Sequence, residues 1–204
     1  MDRFDFIKTL RNESKIHSVD VSIRESIVLF EYYSELFEWN KRMNLISKSE
    51  EERFISRHML DSLSIERCLT LDKDDTVLDM GSGNGLPGIP LAIRFPSNRI
   101  SLIESNRKRC VFLNHLISKL HLTNVEVRCG RFEKVYKDIG TFSVIVVRGV
   151  NPSPNMIEML KDCLMKAGKI VLYVGRRMIP LTEGTYYTGI EGRGFIVISK
   201  NTSE

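Results

Sequence analysis

Long apolar runs are missing from this 204-residue chain: no stretch approaches the roughly 18–20 residues that a membrane-crossing helix needs. The start, MDRFDFIKTLRNESK, is charged throughout and lacks the continuous apolar core of a secretory signal, so a cytoplasmic location is expected. Cysteine is sparse as well. Cys68, Cys110, Cys129 and Cys163 stand far apart, without a C-x-x-C pair, a zinc-like spacing or a disulfide framework, and read as buried thiols. The four histidines are dispersed and no H-E-x-x-H pattern exists, so no metal is required. Charge of one sign is also weak, with a net +4 at pH 7. That sign suits a phosphate-rich partner without demanding one. With 42% hydrophobic and 27% charged residues and no low-complexity tract, an ordinary folded chain is expected.

The first third reads as helical. In SIRESIVLFEYYSELFEWNKRMN, residues Ile27, Phe30, Tyr33, Leu36 and Phe37 recur at three- and four-residue steps, and Asn44 can end the helix. Ser49 with Glu50, Glu51 and Glu52 resembles the acidic start of a second helix carrying Phe54, Ile55, Met59, Leu60 and Leu63 to a core. From Asp74 the pattern alternates. DDTVLDM, RISLIE, NVEVRC, FSVIVV and KIVLYV read as strands; LPGIPLAIRF, RKRCVFLNHLISKLHL, FEKVYKD and NMIEMLKDCLMK read as the helices between them. Such alternation implies β-α-β units and a parallel sheet covered on both faces. TYYTGIEG and GRGFIVISK flank a Gly-rich turn and predict a closing antiparallel hairpin. The expected architecture is α/β, of the Rossmann-like class I methyltransferase type. It comprises a mostly parallel seven-stranded sheet, a C-terminal antiparallel hairpin and an N-terminal helical extension (1–70 and 71–204).

The sharpest local feature is Asp79-Met80-Gly81-Ser82-Gly83-Asn84-Gly85-Leu86-Pro87-Gly88, a strand that runs into glycines and then into a helix. Glycine lets the backbone turn tightly and meet a ligand without a Cβ in between. Pro87 and Pro90 suit a first helical turn, and the free amides there would offer a polar edge to a carboxylate. Gly83-x-Gly85-x-x-Gly88 fits a dinucleotide fingerprint, whereas Asp79-x-Gly81-x-Gly83-x-Gly85 fits a methyltransferase one. Gly81 stands at the strand end with an acid two residues before it, and counting from Gly81 the third dinucleotide glycine falls on Leu86. The methyltransferase register fits better. Glu104 ends the next strand, nineteen residues after Gly85, where a carboxylate can accept from a ribose diol. NAD and S-adenosylmethionine both carry that diol, so Glu104 does not separate them.

Three further groups carry a plain and a functional reading. Asn151-Pro152-Ser153-Pro154 is similar to the N-P-P-Y motif of amine methyltransferases but has Pro in the stacking position, and reads as a turn into a helix. His58 and Asp61 are neighbours on one helix face, as a proton-transfer pair or, more simply, as a packing or capping pair. Lys41, Arg42, Arg57, Arg107, Lys108 and Arg109 form one RNA-facing surface or a dispersed solvated set.

Taken together these residues resemble the RsmG (GidB) family of 16S rRNA guanine-N7 methyltransferases. The resemblance rests on Trp39-Asn40 with Asn44-Leu45, on Arg57-His58-x-x-Asp61-Ser62, on Gly81-x-Gly83-x-Gly85-Leu86-Pro87-Gly88-Ile89-Pro90, and on Lys108-Arg109-x-x-Phe112-Leu113. It covers about residues 30 to 150. It implies S-adenosylmethionine as cofactor, held by Asp79, Gly81, Gly83, Gly85, Leu86 and Glu104, with Arg131-Phe132-Glu133 around the adenine and Arg148 beside the methyl-transfer site. It further implies that guanine 527 in the 530 loop of 16S rRNA, in the 30S subunit, is the acceptor. No general base is needed, because guanine N7 has a lone pair and no proton to lose. No obligate protein partner is evident.

The chain departs from the family pattern in three places. Glu104 replaces the commoner Asp, Gly149 follows Arg148 where Ala is usual, and Tyr173-Val174-Gly175 lacks the family lysine. Arg176 or Arg177 is the expected substitute charge, and joins Arg57, Lys108 and Arg109 as a candidate RNA contact. The rival readings are a small-molecule methyltransferase, which has no use for the helical signature or a basic face, and a non-catalytic RNA-binding relative, which has no use for the glycine loop.

Overall fold

The structure, a computed structural model, describes residues 1–175 and 184–200. Two long helices come first. α1 (Arg3–Ile16) starts at Asp2, whose side chain accepts from the Asp5 amide. α2 (Ile23–Met43) starts at a reciprocal capping box between Ser22 and Glu25 and stops at Asn44, which is left-handed. The buried face of α2 is Ser26, Leu29, Tyr32 and Leu36, one step round from the expected stripe. Phe30 and Tyr33 are only partly buried, because they face α1: the Phe6 ring lies 5.4 Å from Phe30 and 4.9 Å from Tyr33. α2 is covered from two directions, and a single-stripe reading misses this.

The second helix expected from the sequence is broken. It consists of α3 (Lys48–Glu51), a π-helical turn (Ile55–Leu60), α4 (Asp61–Leu63) and a 3-10 turn (Ser64–Arg67). Its apolar residues Phe54, Ile55, Met59, Leu60 and Leu63 are all buried as expected. The sheet follows with β1 (Thr76–Met80), α5 (Gly88–Arg94), β2 (Arg99–Glu104), α6 (Arg107–Lys119), β3 (Val125–Cys129), α7 (Phe132–Val135), β4 (Phe142–Arg148), α8 (Pro154–Asp162), β5 (Leu164–Val174), β6 (Thr185–Thr188) and β7 (Gly194–Ser199). FEKVYKD makes only one α-helical turn and a 3-10 turn, and α8 stops at Asp162 because Leu164 already pairs with Phe142 of β4. Strand pairing overrides the helical pattern there.

The strand order is β3-β2-β1-β4-β5-β7-β6, with β1 to β5 parallel and β7 antiparallel to both β5 and β6. Side chains alternate across the sheet. Val77, Leu102, Val144, Val146 and Val171 join the N-terminal helices in one continuous core, whereas Leu78, Met80, Ile103, Ile145 and Val147 join α8 and Phe132 in another. By the same parity Asp79, Glu104, Arg148 and Tyr173 all lie on the face covered by α1, α2, α5 and α6. Burying each large apolar side chain stabilises by about 1.5–3 kcal/mol, so this shared core binds the helices firmly to the sheet.

Cys110 and Cys129 are bonded as a disulfide with Cα atoms 5.8 Å apart and Cys129 is exposed, which corrects the expectation of four buried thiols; Cys68, half-buried, and Cys163, buried, are free. The pairing is tertiary in origin: β3 lies beside β2 with Cys129 opposite Glu104, and α6 leaves from just that point. Among the described residues no helix is long and apolar enough to cross a membrane.

Candidate active site

At the end of β1 the chain bends away from the sheet, and both neighbours diverge there: Met80 pairs with Ile103 of β2 on one side and Val147 of β4 on the other. A crevice at the carboxyl ends of parallel strands, where successive connections leave to opposite sides, is the usual ligand position in such sheets. The bend is held by its own hydrogen bonds. The Gly81 and Ser82 amides donate to the Ile103 carbonyl at 2.9 and 3.0 Å, and the Gly85 and Leu86 amides to the Ser82 carbonyl at 2.7 and 3.2 Å. Gly88 donates to Asp79 Oδ2 at 2.9 Å, and Gly83 to Glu104 Oε2 at 2.8 Å. Most amides expected to be free for a carboxylate are therefore already engaged within the loop.

Gly81 and Gly83 have φ of +79° and +59°. A Cβ on Gly81 would meet only Val150, and one on Gly83 would find no atom nearer than 3.8 Å. These two glycines thus turn a bare backbone face to the crevice. Gly85 and Gly88 differ, since a Cβ there would come within 2.6 Å of Ile89 and 2.3 Å of Leu102 respectively. Gly85 is closed in by α5 and α6, with Leu113 Cδ2 3.3 Å from that Cβ position, and Gly88 lets α5 pack on the sheet. Leu86 is buried in the core, preceding a cis peptide to Pro87.

Asp79 is fully buried, and its Oδ1 has no partner among the described residues. Burial pushes its carboxyl up to about 7, against the pull of the Gly88 amide and the Ser82 hydroxyl. Glu104, 5% exposed, also accepts from the Asn106 amide at 2.6 Å. Oε1 also accepts a long hydrogen bond from the Ser105 hydroxyl at 3.5 Å, whereas Oε2 keeps a second lone pair, and exchange of the Ser105 contact frees another for a diol. Arg109 Nη1 stands 4.0 Å from Glu104 Oε2, and Asn106 caps α6 by accepting from the Lys108 and Arg109 amides. Phe132 is buried at the start of α7 with its ring 5.8 Å from Tyr136, whereas Glu133 is exposed.

Arg148, at the end of β4, reaches into the N-terminal helices. Its Nε donates to Asp61 Oδ2 at 3.3 Å, and Nη2 donates to the Arg57 carbonyl at 3.0 Å and meets His58 Nδ1 at 2.9 Å. Arg193, from the β6–β7 turn, donates to the same Asp61 Oδ2 at 3.2 Å and to the Arg57 carbonyl at 3.1 Å. Tyr173 of β5 donates to the Ser62 carbonyl at 2.8 Å. Burial, then the Arg148 charge, push the His58 imidazole down to about 4, against the pull of Glu50. Burial raises the Asp61 carboxyl despite its two arginines.

Asp79, Gly81, Gly83, Glu104 and Arg109 meet at the bend, and His58 and Asp61 meet Arg148. Lys108 is exposed at the start of α6. Arg57 is not a free cation: it pairs with Glu50 at 3.0 Å and lies 3.6 Å from Glu191. Arg176 and Arg177 lie outside the described residues. Sequence reasoning missed Arg193, Tyr173 and Tyr32, whose hydroxyl donates to the Asn84 carbonyl at 3.1 Å. Tyr32 lies off the apolar stripe expected for α2, and no local pattern marks Arg193. A cavity of about 460 Å³ lined by Thr76, Arg99, Glu126 and Phe142 opens at the amino ends of the strands, the edge opposite the bend. Among the described residues no group of three or more His, Cys, Asp or Glu could hold a metal ion.

Solved structures share this architecture: a mutant of MtNAS (TM-score 0.62, 16% identity, 98% of this chain and 90% of that one) and precorrin-6Y C5,15-methyltransferase from Geobacter metallireducens GS-15 (TM-score 0.54, 18% identity, 77% and 90%). The fold is that of class I methyltransferases. Two relatives named ribosomal RNA small subunit methyltransferase G are 36% identical over 159 residues (Lachnoclostridium phytofermentans) and 35% identical over 150 residues (Thermoanaerobacter sp.). The matches cover 76% and 72% of this chain but only 66% and 62% of the relatives' own length. A third, ribosomal RNA small subunit methyltransferase G 1 of Syntrophobacter fumaroxidans, is 34% identical over 80% of this chain and 75% of its own. The profile of the GidB family, described as rRNA small subunit methyltransferase G, matches residues 26–181. The chain belongs to the GidB family.

Proposed function

We propose that this chain transfers a methyl group from S-adenosylmethionine to N7 of a guanine in 16S rRNA, guanine 527 of the 530 loop, acting on the small subunit in the cytoplasm. The observation that carries the cofactor reading is the bare backbone of Gly81 and Gly83 facing the crevice, with the Glu104 carboxylate fastened to Gly83 beside it. Small-subunit rRNA as the acceptor rests on family membership, and guanine 527 with its N7 on the motif resemblance. Residues 71–204 supply the cofactor crevice in this reading, and residues 1–70 cap its rim.

The bound cofactor supplies a methyl group on sulfonium, already a good leaving group, so the chain's task is placement. Glu104 would receive the ribose hydroxyls with its remaining lone pairs, and Gly81, Gly83 and Leu86 would contribute backbone. Phe132 and Glu133 would border the adenine, and Arg148 would stand beside the methyl-transfer site. N7 carries no proton, so no side chain has to accept one. His58 is the nearby imidazole, and it is held neutral with Nδ1 already accepting from Arg148. It is not a free base.

The test is methyl transfer from labelled S-adenosylmethionine to 30S subunits from a strain lacking the gene. The modified nucleotide is mapped by borohydride and aniline cleavage, to which N7-methylguanine is susceptible. A single labelled guanine in the 530 loop is expected. Label on a small molecule, or at another base, overturns the acceptor assignment; calorimetry showing affinity for NAD and none for S-adenosylmethionine overturns the cofactor assignment.

A further inference from the structure

The Arg148 guanidinium is held on two of its three nitrogens. Nε is bound to Asp61, and Nη2 to the Arg57 carbonyl and His58 Nδ1. Among the described residues Nη1 has no hydrogen-bond partner, and it is not among the buried unpaired atoms, so its two N–H groups remain available. A guanidinium nitrogen cannot accept, so His58 Nδ1 is the acceptor. The ring proton therefore sits on Nε2, which donates to Glu50 Oε2 at 2.9 Å. One hydrogen-bond chain runs from Glu50 of α3 through His58 to Arg148. A second runs from Arg193, in the C-terminal hairpin, through Asp61 to the same arginine. Strand parity explains the aim: Arg148 follows Val146 on the face that the N-terminal helices cover.

We propose that Asp61, His58 and Arg193 are positioning residues that clamp Arg148 by Nε and Nη2 and present its Nη1 to the crevice beside Gly81. The clamp draws on three distant stretches of chain and rests on the function proposed above only for the identity of what Nη1 meets. A planar guanidinium fixed at two nitrogens cannot rotate about its Nε–Cζ bond, and its third nitrogen is aimed without further loss of side-chain entropy.

The first test needs no ligand. Nitrogen NMR of the arginine side chains in the free protein is expected to show two distinct, slowly exchanging Nη signals for Arg148, assigned by their absence in Arg148→Ala. In His58→Leu these should merge or broaden. His58→Gln should restore them, because an amide can accept from Nη2 and donate to Glu50. A single averaged Nη signal in the parent protein overturns the clamp.

The second test is a double-mutant cycle on S-adenosylmethionine affinity. His58→Leu and Arg193→Ala are expected to weaken binding about tenfold and several-fold, the size of one charge-assisted hydrogen bond at most. Neither should weaken it further in an Arg148→Ala background. Equal losses in both backgrounds would show that the two residues act through general stability and not through Arg148. Parent protein without affinity for S-adenosylmethionine overturns the proposed cofactor, and the NMR result then still decides the clamp.

Discussion

The glycine bend and the Arg148 clamp stand at one crevice but are built on different scales. At the bend, the Gly88–Asp79 and Gly83–Glu104 hydrogen bonds close over 9 and 21 residues. In the clamp, Arg148–Asp61, Arg148–Arg57 and Arg193–Arg57 close over 87, 91 and 136. A backbone shape that contacts a ligand can be made by local turns. A charged side chain needs acceptors on several sides, and only elements distant in sequence can supply them in a packed interior.

Substitutions can break this contrast. The largest effect is expected from Gly88→Ala, whose Cβ would lie 2.3 Å from Leu102 Cδ2 and 2.6 Å from Asp79 Oδ2. Overpacking of this kind costs about 1–3 kcal/mol or more, and about 2–4 °C of melting temperature per kcal/mol in a chain of this size. Gly83→Ala meets no clash but must hold φ near +59°, for about 1 kcal/mol. It should melt close to the parent while losing most cofactor affinity, since its methyl projects into the crevice. Equal melting losses for the two would erase the distinction between packing glycines and ligand-facing ones.

An intermediate effect follows from protonation. Burial raises Asp79 from 3.8 to about 7, so the folded state binds more protons than the unfolded chain in that window, and this group's contribution to stability falls as pH rises from about 4 to 7. Burial lowers His58 from 6.5 to about 4, so the unfolded chain binds more protons there, and its contribution rises with pH over nearly the same window. The two slopes oppose each other. Urea midpoints of Asp79→Asn should therefore gain on the parent as pH climbs from 4 to 7, and those of His58→Gln should lose ground. A pH-independent gap in either variant would contradict the corresponding assignment.

The smallest effect concerns the proposed RNA face. Lys108 is exposed and Arg57 is tied to Glu50 and Glu191. Lys108→Ala should lower the salt slope of rRNA affinity by about one unit without changing stability. Arg57→Ala should instead cost about 0–1 kcal/mol of stability with little change in that slope. The reverse pattern would return Arg57 to the RNA interface.

Much of the architecture was legible because period-two strands, the bend and the closing hairpin leave short-range marks in composition. Glu104 was legible for the same reason, standing at the end of a strand next to a recognisable loop. The break-up of residues 48–67 into four short helical turns was not, since its apolar spacing matches one continuous helix. Nor was the Cys110–Cys129 bond, which depends on β3 lying beside β2. His58 and Asp61 were visible as a pair on one helix face, but nothing near them in sequence names Arg148 or Arg193 as their partners.

Strand and helix alternation, the bend at Gly81–Gly88 and the acid at Glu104 follow from local sequence. Each arises from backbone preferences and side-chain alternation within a few residues. The core that the N-terminal helices share with one sheet face, and the aim of Arg148 between Asp61, His58 and Arg193, arise only on packing. A buried charge takes its direction from whichever dipoles and carboxylates surround it after packing, and the chain brings those together only when every strand has found its place in the sheet.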